Sequence, residues 1–199
     1  GKFTMGSIKD DNITKSPRVE VYVSEFFMAK TETTLERWSE VRDWALENGY
    51  SDLQEGYAQG PKYPVSKVSW FNMTIWCNAA SEMEGLNPCY YDVNGNVVRS
   101  GNITTTCDWS ANGYRLPTEA EWEKAAKGGK DDQRYPWGNT IDHSNANYRS
   151  TDSSFGDIET KKGYNPNFDN FSPVASFQPN GYGLYDTSGN VWELCWDKT

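Results

Sequence analysis

The sequence between residues 180 and 193 reads Asn180-Gly181-Tyr182-Gly183-Leu184-Tyr185-Asp186-Thr187-Ser188-Gly189-Asn190-Val191-Trp192-Glu193, which is the composition of a tight, ordered loop. Its three glycines allow the backbone to turn carbonyl groups inward. Asp186 and Glu193 add carboxylates, and carboxylates together with carbonyl oxygens are the usual protein ligands of Ca²⁺. The segment therefore suits a calcium site. An equally open interpretation is that Asp186 and Glu193 cap a turn or pair with Arg115.

The segment upstream, from Lys130 to Phe177, is also rich in side-chain oxygens and shows almost no hydrophobic periodicity. A structureless stretch of this length is unusual inside a domain. One explanation is that a hard cation orders it. The alternative is a solvated loop in which the acidic and amide side chains make Asx turns. The available oxygen ligands are Asn147, Asp152, Asp157 and Asp169.

Regular structure is predicted in the first two thirds of the chain. Residues Arg18–Glu25 alternate apolar and polar side chains at the period of a half-buried strand, for which Phe3–Met5 is a candidate partner. Three helices are predicted over 33–49, 69–85 and 117–129. Their first caps are predicted to be Thr33 with Glu36, Ser69, and Thr118 with Glu121.

Composition excludes several functional classes. The 9 Trp, 12 Tyr and 8 Phe indicate a folded chain, because each can bury a large apolar area. The net charge of -9 repels phosphate backbones and anionic lipids, so no nucleic-acid partner is expected. No apolar run is long enough to span a membrane. One histidine and no CxxC spacing argue against a Cys/His zinc site.

The four cysteines bear on the cellular compartment. Cys89 and Cys107 flank a hairpin signal at Asn94-Gly95, so the two could face each other across that hairpin. A disulfide there would fit an exported protein, and we expect a cell-surface, extracellular or periplasmic location. Cys77 is predicted to be a buried thiol, and Cys195 a buried or loop thiol without a catalytic role.

Six motifs together resemble the formylglycine-generating enzyme family. The motifs occur in the family's order and cover nearly the whole chain. The resemblance implies one domain over residues 1–199 with an α+β, C-type-lectin-like fold: a small twisted sheet, flanking helices and extensive irregular, calcium-stabilised loops. The motifs are Gly1–Ser7, Lys30–Thr34, Pro64–Trp70, Tyr114–Glu123, Tyr135–Asn139 and Asn180–Glu193.

The resemblance also implies two calcium sites. The first matches the side chain of Asn147 and the carbonyl of Tyr148, with the Asp157 carboxylate and the Glu159 carbonyl as the later ligands. Asp152 or Asp169 could replace Asp157, because this loop differs in length from those of other family members. The second site matches the side chains of Asp186 and Glu193 and three carbonyl groups, those of Thr187, Gly189 and Val191.

Two functions remain open at this point. Family enzymes use a pair of cysteines, which binds copper(I), to oxidise a sulfatase cysteine to formylglycine, and no such pair occurs in this sequence. The fold also serves bacterial surface proteins whose binding face is diversified by a retroelement. We therefore expect a monomeric, non-catalytic module that binds a protein or glycan and carries structural Ca²⁺. The alternative is the copper-dependent oxidase, with its cysteine pair in a further C-terminal segment.

Overall fold

The computed structural model describes residues 1–6, 17–151, 156–160, 162–168 and 170–197. They form a mixed α+β structure with three helices, as predicted, and their strands make two short two-stranded sheets. The chain divides into two compact units, one comprising Thr33–Leu116 and the other Gly1–Glu32 together with Pro117–Thr199. This grouping does not decide whether residues 1–199 form a single domain, which stays a prediction. Among the described residues, no helix is long and apolar enough to cross a membrane.

Two helices form the core of the Thr33–Leu116 unit. Helix α1 spans Leu35–Glu47 and helix α2 spans Trp70–Met83. The rings of Trp38 and Trp76 stack with centroids 5.5 Å apart, and the Trp76 indole N–H donates to the Trp38 carbonyl. Ser69 caps α2 as predicted, but the α1 cap is Thr34 and not Thr33.

A buried amide connects α2 to the short sheet of the same unit. Strands β3 (Tyr90–Tyr91) and β4 (Thr106–Cys107) pair antiparallel. The Asn78 side chain donates to the carbonyls of Tyr90 and Val98 and accepts from the N–H groups of Cys89 and Tyr90. Since Asn78 is fully buried, these four hydrogen bonds fix the strands to the helix.

A disulfide between Cys89 and Cys107, which the sequence left open, is not formed, and all four cysteines are thiols. The reason is the strand register. Tyr90 lies opposite Cys107, so Cys89, one residue earlier, directs its side chain to the other face of the ribbon. The hairpin signal itself is confirmed, because Asp92 accepts the Gly95 N–H in a turn.

The second unit contains the other sheet and the third helix. Strands β1 (Lys2–Met5) and β2 (Val19–Tyr22) pair antiparallel, with Phe3 opposite Val21. Helix α3 (Glu119–Lys127) begins with the predicted capping box of Thr118 and Glu121 and ends at Gly128 in the left-handed region. The Lys127 ammonium donates to the Thr4 carbonyl at 2.6 Å, which fixes β1 to α3.

Residues 130–177 contain no helix or multi-residue strand within their described part. Isolated bridges join Ile141 to Asp157 and Ser150 to Gly163. Position 156, directly before Asp157, requires glycine. Its φ is +78°, and a Cβ there would lie 2.0 Å from the Asn139 carbonyl oxygen. Backbone bridges and side-chain hydrogen bonds therefore order this segment in place of regular secondary structure.

Candidate metal centre

The loop of residues 180–193 is anchored on α3 at both ends. At one end, the Asn180 amide donates to the Ala125 carbonyl at 2.7 Å. This carbonyl lies in the last turn of the helix, where the carbonyl groups have no i+4 donor within the helix. At the other end, the Trp122 indole N–H donates to the Glu193 carboxylate at 2.7 Å. The intervening residues are thus fixed in place relative to the helix.

The middle of the loop follows an unusual backbone path. Gly189 and Asn190 both have positive φ angles, +93° and +59°. A Cβ on Gly189 would lie 2.4 Å from the Asn147 carbonyl oxygen, and that oxygen accepts the Asn190 N–H at 2.7 Å. Only glycine allows this close approach. Asn147, a predicted ligand of the first site, therefore lies directly against the loop of the second.

The Asn190 side chain joins the loop to two further segments. Its oxygen accepts the Ser172 N–H at 2.9 Å, and its amide donates to the Glu32 carboxylate at 2.9 Å. The neighbouring Tyr185 N–H donates to the Lys30 carbonyl at 2.8 Å. Glu32, remote in sequence, is thereby held beside the loop.

Two carboxyl groups, those of Glu32 and Asp186, meet at this point, with a third acidic residue, Glu193, within electrostatic range. The carboxyl groups of Glu32 and Asp186 lie close enough to interact directly. Each of them also interacts electrostatically with the carboxyl group of Glu193. Glu32 Oε2 and Asp186 Oδ1 are buried and accept no hydrogen bond from the described part of the chain. Asp186 Oδ2 accepts only the Ala175 N–H. The cluster therefore has more negative charge than its hydrogen-bond donors compensate.

The pKa values reflect this shortage of positive charge. Burial, followed by the charges of Asp186 and Glu193, raises the pKa of Glu32 to about 8. Burial also raises the pKa of Asp186. The Glu193 carboxylate accepts the Trp122 indole N–H at 2.7 Å, and its pKa is raised by burial and by the Asp186 charge. Either protons or a bound cation must neutralise such a group.

The donor set suits a hard cation. Carboxylate oxygens without protein partners, next to a loop that supplies backbone carbonyls, match the ligand preference of Ca²⁺. The carbonyls predicted as ligands belong to Thr187, Gly189 and Val191, between the two acidic residues of the loop. No three acidic, histidine or cysteine side chains of the described residues stand in a preformed metal arrangement, so backbone oxygens would have to complete the shell.

The predicted ligands of the first site are divided between two places. Asn147 has a buried Oδ1 without a hydrogen-bond partner, and its amide lies 3.5 Å from the Asn170 carbonyl. Asp157 lies instead among donors from Tyr148, Ser150 and Glu159. The alternatives, Asp152 and Asp169, are outside the described residues. Asp157 and Glu159 as ligands stay a prediction.

Glu32 is the residue that sequence reasoning missed. It belongs to one of the recognised motifs, Lys30–Thr34, but nothing in its immediate sequence distinguishes it from a surface acid. What distinguishes Glu32 is its hydrogen bond with Asn190. Because Asn190 is remote in the sequence, only the folded chain reveals this contact.

The cysteines have little thiolate character. Burial, then the charges of Glu119 and Asp197, raise the pKa of Cys195 to about 11. Burial raises the pKa of Cys77 to about 12 and also raises that of Cys89. Cys195 is the only cysteine in its unit. Cys77, Cys89 and Cys195 are therefore protonated at neutral pH in the metal-free protein and are weak nucleophiles.

A protein-family model described as the sulfatase-modifying factor enzyme 1-like domain matches residues 1–199. The chain belongs to this family. The family assignment agrees with the resemblance carried by the sequence motifs, and it covers both compact units.

Curated members of the family differ in function. The chain is 32% identical to chaperone protein LppX of Paenibacillus barcinonensis over 98% of its own length and 68% of that protein. It is 48% identical over 87 residues to the formylglycine-generating enzyme of Thermomonospora curvata, of which it spans 27%. It is also 48% identical over 88 residues to a mouse protein named as an inactive formylglycine-generating enzyme. Local identity therefore does not distinguish active from inactive relatives.

Two solved structures share the fold. CarF superposes with a TM-score of 0.73 at 30% identity, over 96% of this chain and 75% of CarF. Treponema denticola variable protein 1 superposes with a TM-score of 0.69 at 30% identity, over 98% of this chain and 69% of that protein. The C-type-lectin-like fold of the formylglycine-generating enzyme type, predicted from the sequence, is thus confirmed.

Proposed function

We propose that the chain is a non-catalytic, exported module that binds a protein or glycan ligand on a scaffold stabilised by Ca²⁺. The observation that carries the proposal is the similarity to Treponema denticola variable protein 1, which superposes over 98% of this chain with a TM-score of 0.69. We assign no catalytic role to Cys195, because burial raises the pKa of its thiol.

Calcium supports the scaffold and takes no part in chemistry. Asp186, Glu193 and Glu32 would hold it, with carbonyl groups of the loop. The two buried oxygens without donors are what a Ca²⁺ ion would neutralise. Bound only by the folded chain, the ion stabilises that state by mass action.

The ligand-binding face is best placed on the same loop. Trp192 is 97% exposed and Tyr182 is 56% exposed, both next to residues that are fixed by hydrogen bonds. Exposed aromatic side chains on a rigid loop supply apolar contact at a low entropic cost. We therefore assign the first ligand contacts to this surface.

Binding can be tested with a matched pair of tryptophan variants. The wild-type chain, Trp192→Ala and Trp109→Ala are applied to an array of glycans and extracellular proteins. Trp109 is 52% exposed but lies in the other unit. We expect binding to at least one probe, weakened about tenfold or more by Trp192→Ala and unchanged by Trp109→Ala. Equal binding by all three proteins would contradict the assignment.

The oxidase is the alternative, favoured by the local identity to the Thermomonospora curvata enzyme. It is tested on the full natural gene product, by oxygen consumption with copper(I) and a cysteine-containing sulfatase peptide. Formylglycine product, identified by mass spectrometry, would overturn the non-catalytic proposal. We expect no turnover above that of copper and peptide without the protein.

A further inference from the structure

We propose that Asp157 is not a calcium ligand but a positioning residue, which fixes Tyr148, Ser150 and the backbone of Glu159 through protein hydrogen bonds alone. This inference deepens the proposed function, because it separates the part of the oxygen-rich segment that uses a metal ion from the part that does not.

Both oxygens of Asp157 are occupied by protein donors. Oδ1 accepts the Tyr148 hydroxyl at 2.7 Å and the Glu159 N–H at 2.9 Å. Oδ2 accepts the Ser150 hydroxyl at 2.7 Å, and the Lys162 ammonium lies 3.7 Å away. A carboxylate offers about four acceptor positions. With Asp157 itself buried, little of its coordination capacity is left for a cation.

Other predicted ligands of the first site are engaged as well. The Tyr148 carbonyl lies 3.2 Å from His143 Nε2. On the opposite side of that ring, the Glu159 carboxylate lies 3.3 Å from Nδ1 and also accepts the His143 N–H. The His143 ring therefore lies between the Tyr148 carbonyl, which is a predicted ligand, and the Glu159 side chain.

The contrast with Asp186 is one of donor supply. Among the described residues, Asp186 accepts one backbone N–H, from Ala175, and otherwise faces the carboxyl group of Glu32. Asp157 is thus compensated by several protein donors, whereas Asp186 lies against a second acidic side chain.

The experiment compares Asp157→Asn with Asp186→Asn as its matched control. Melting temperatures are measured in protein stripped of divalent cations and again with excess CaCl₂. We expect Asp157→Asn to lower the melting temperature by about 5 °C, by the same amount in both conditions. We expect calorimetric titration with CaCl₂ to give the wild-type number of sites. The Asp186→Asn variant should lose most of its stabilisation by calcium.

The outcomes separate this inference from the calcium proposal. A calcium-dependent loss in Asp157→Asn, or one fewer calcium ion bound, would overturn the role of Asp157 and leave the second site intact. A calcium-independent loss in both variants would support the role of Asp157 and reject calcium at Asp186. If Asp157→Asn does not fold, Tyr148→Phe replaces it, because it removes one donor and leaves every predicted ligand atom in place. Its loss must again be independent of calcium.

Discussion

Without the proposed calcium ion, the protein should lose stability as the pH rises. In the metal-free protein, the pKa of Glu32 is about 8, above its ordinary value of 4.5. The native state therefore keeps a proton that the unfolded chain releases. The contribution of this proton to the free energy of unfolding is fully present below pH 4.5. It is lost as the pH rises towards 8, at about 1.4 kcal/mol per pH unit. Across this window the loss is up to about 5 kcal/mol.

Calcium should remove this dependence, because the cation takes the place of the proton. The assay is urea denaturation between pH 5 and pH 8, on protein stripped of divalent cations and on protein with excess CaCl₂. Glu32→Gln is the control variant, since its amide is neutral throughout. The metal-free variant should show a much smaller slope. Metal-free stability that stays constant or rises with pH, or an unchanged slope in Glu32→Gln, would refute the reasoning.

Two further predictions concern packing. Gly189→Ala should lower the free energy of unfolding by about 2–4 kcal/mol, because its Cβ would lie 2.4 Å from the Asn147 carbonyl oxygen. Gly183→Ala is the control, since Gly183 also has a positive φ, +80°, but open space around it. In the same denaturation assay it should cost only about 1 kcal/mol. Equal costs would rule out the close approach. Asn78→Leu should destabilise by roughly 3 kcal/mol or more, because it leaves buried backbone groups unpaired, and a loss below about 1 kcal/mol would show that they find other partners.

The helices show how far local signals reach. The capping box of Thr118 and Glu121 was predicted correctly, because both partners lie within one helical turn. At α1, two adjacent threonines offered the same local chemistry. The choice of Thr34 is associated with a distant contact, since the Thr33 carbonyl accepts the Val65 N–H. The sequence left the pairing of Cys89 with Cys107 open for a similar reason, because strand register is a property of pairing between segments.

The amino-acid sequence determined the positions of the helices, the tight loop of residues 180–193 and the oxygen-rich character of the second half. These features depend on periodicity, glycine and residue type, which are local. Tertiary structure alone decided which carboxylates lack donors. Asp157 and Asp186 are the same residue type. Folding brings Tyr148, Ser150 and Lys162 to Asp157, but it brings one backbone N–H to Asp186. Charge compensation depends on donors that arrive from other segments, and only the folded chain brings them together.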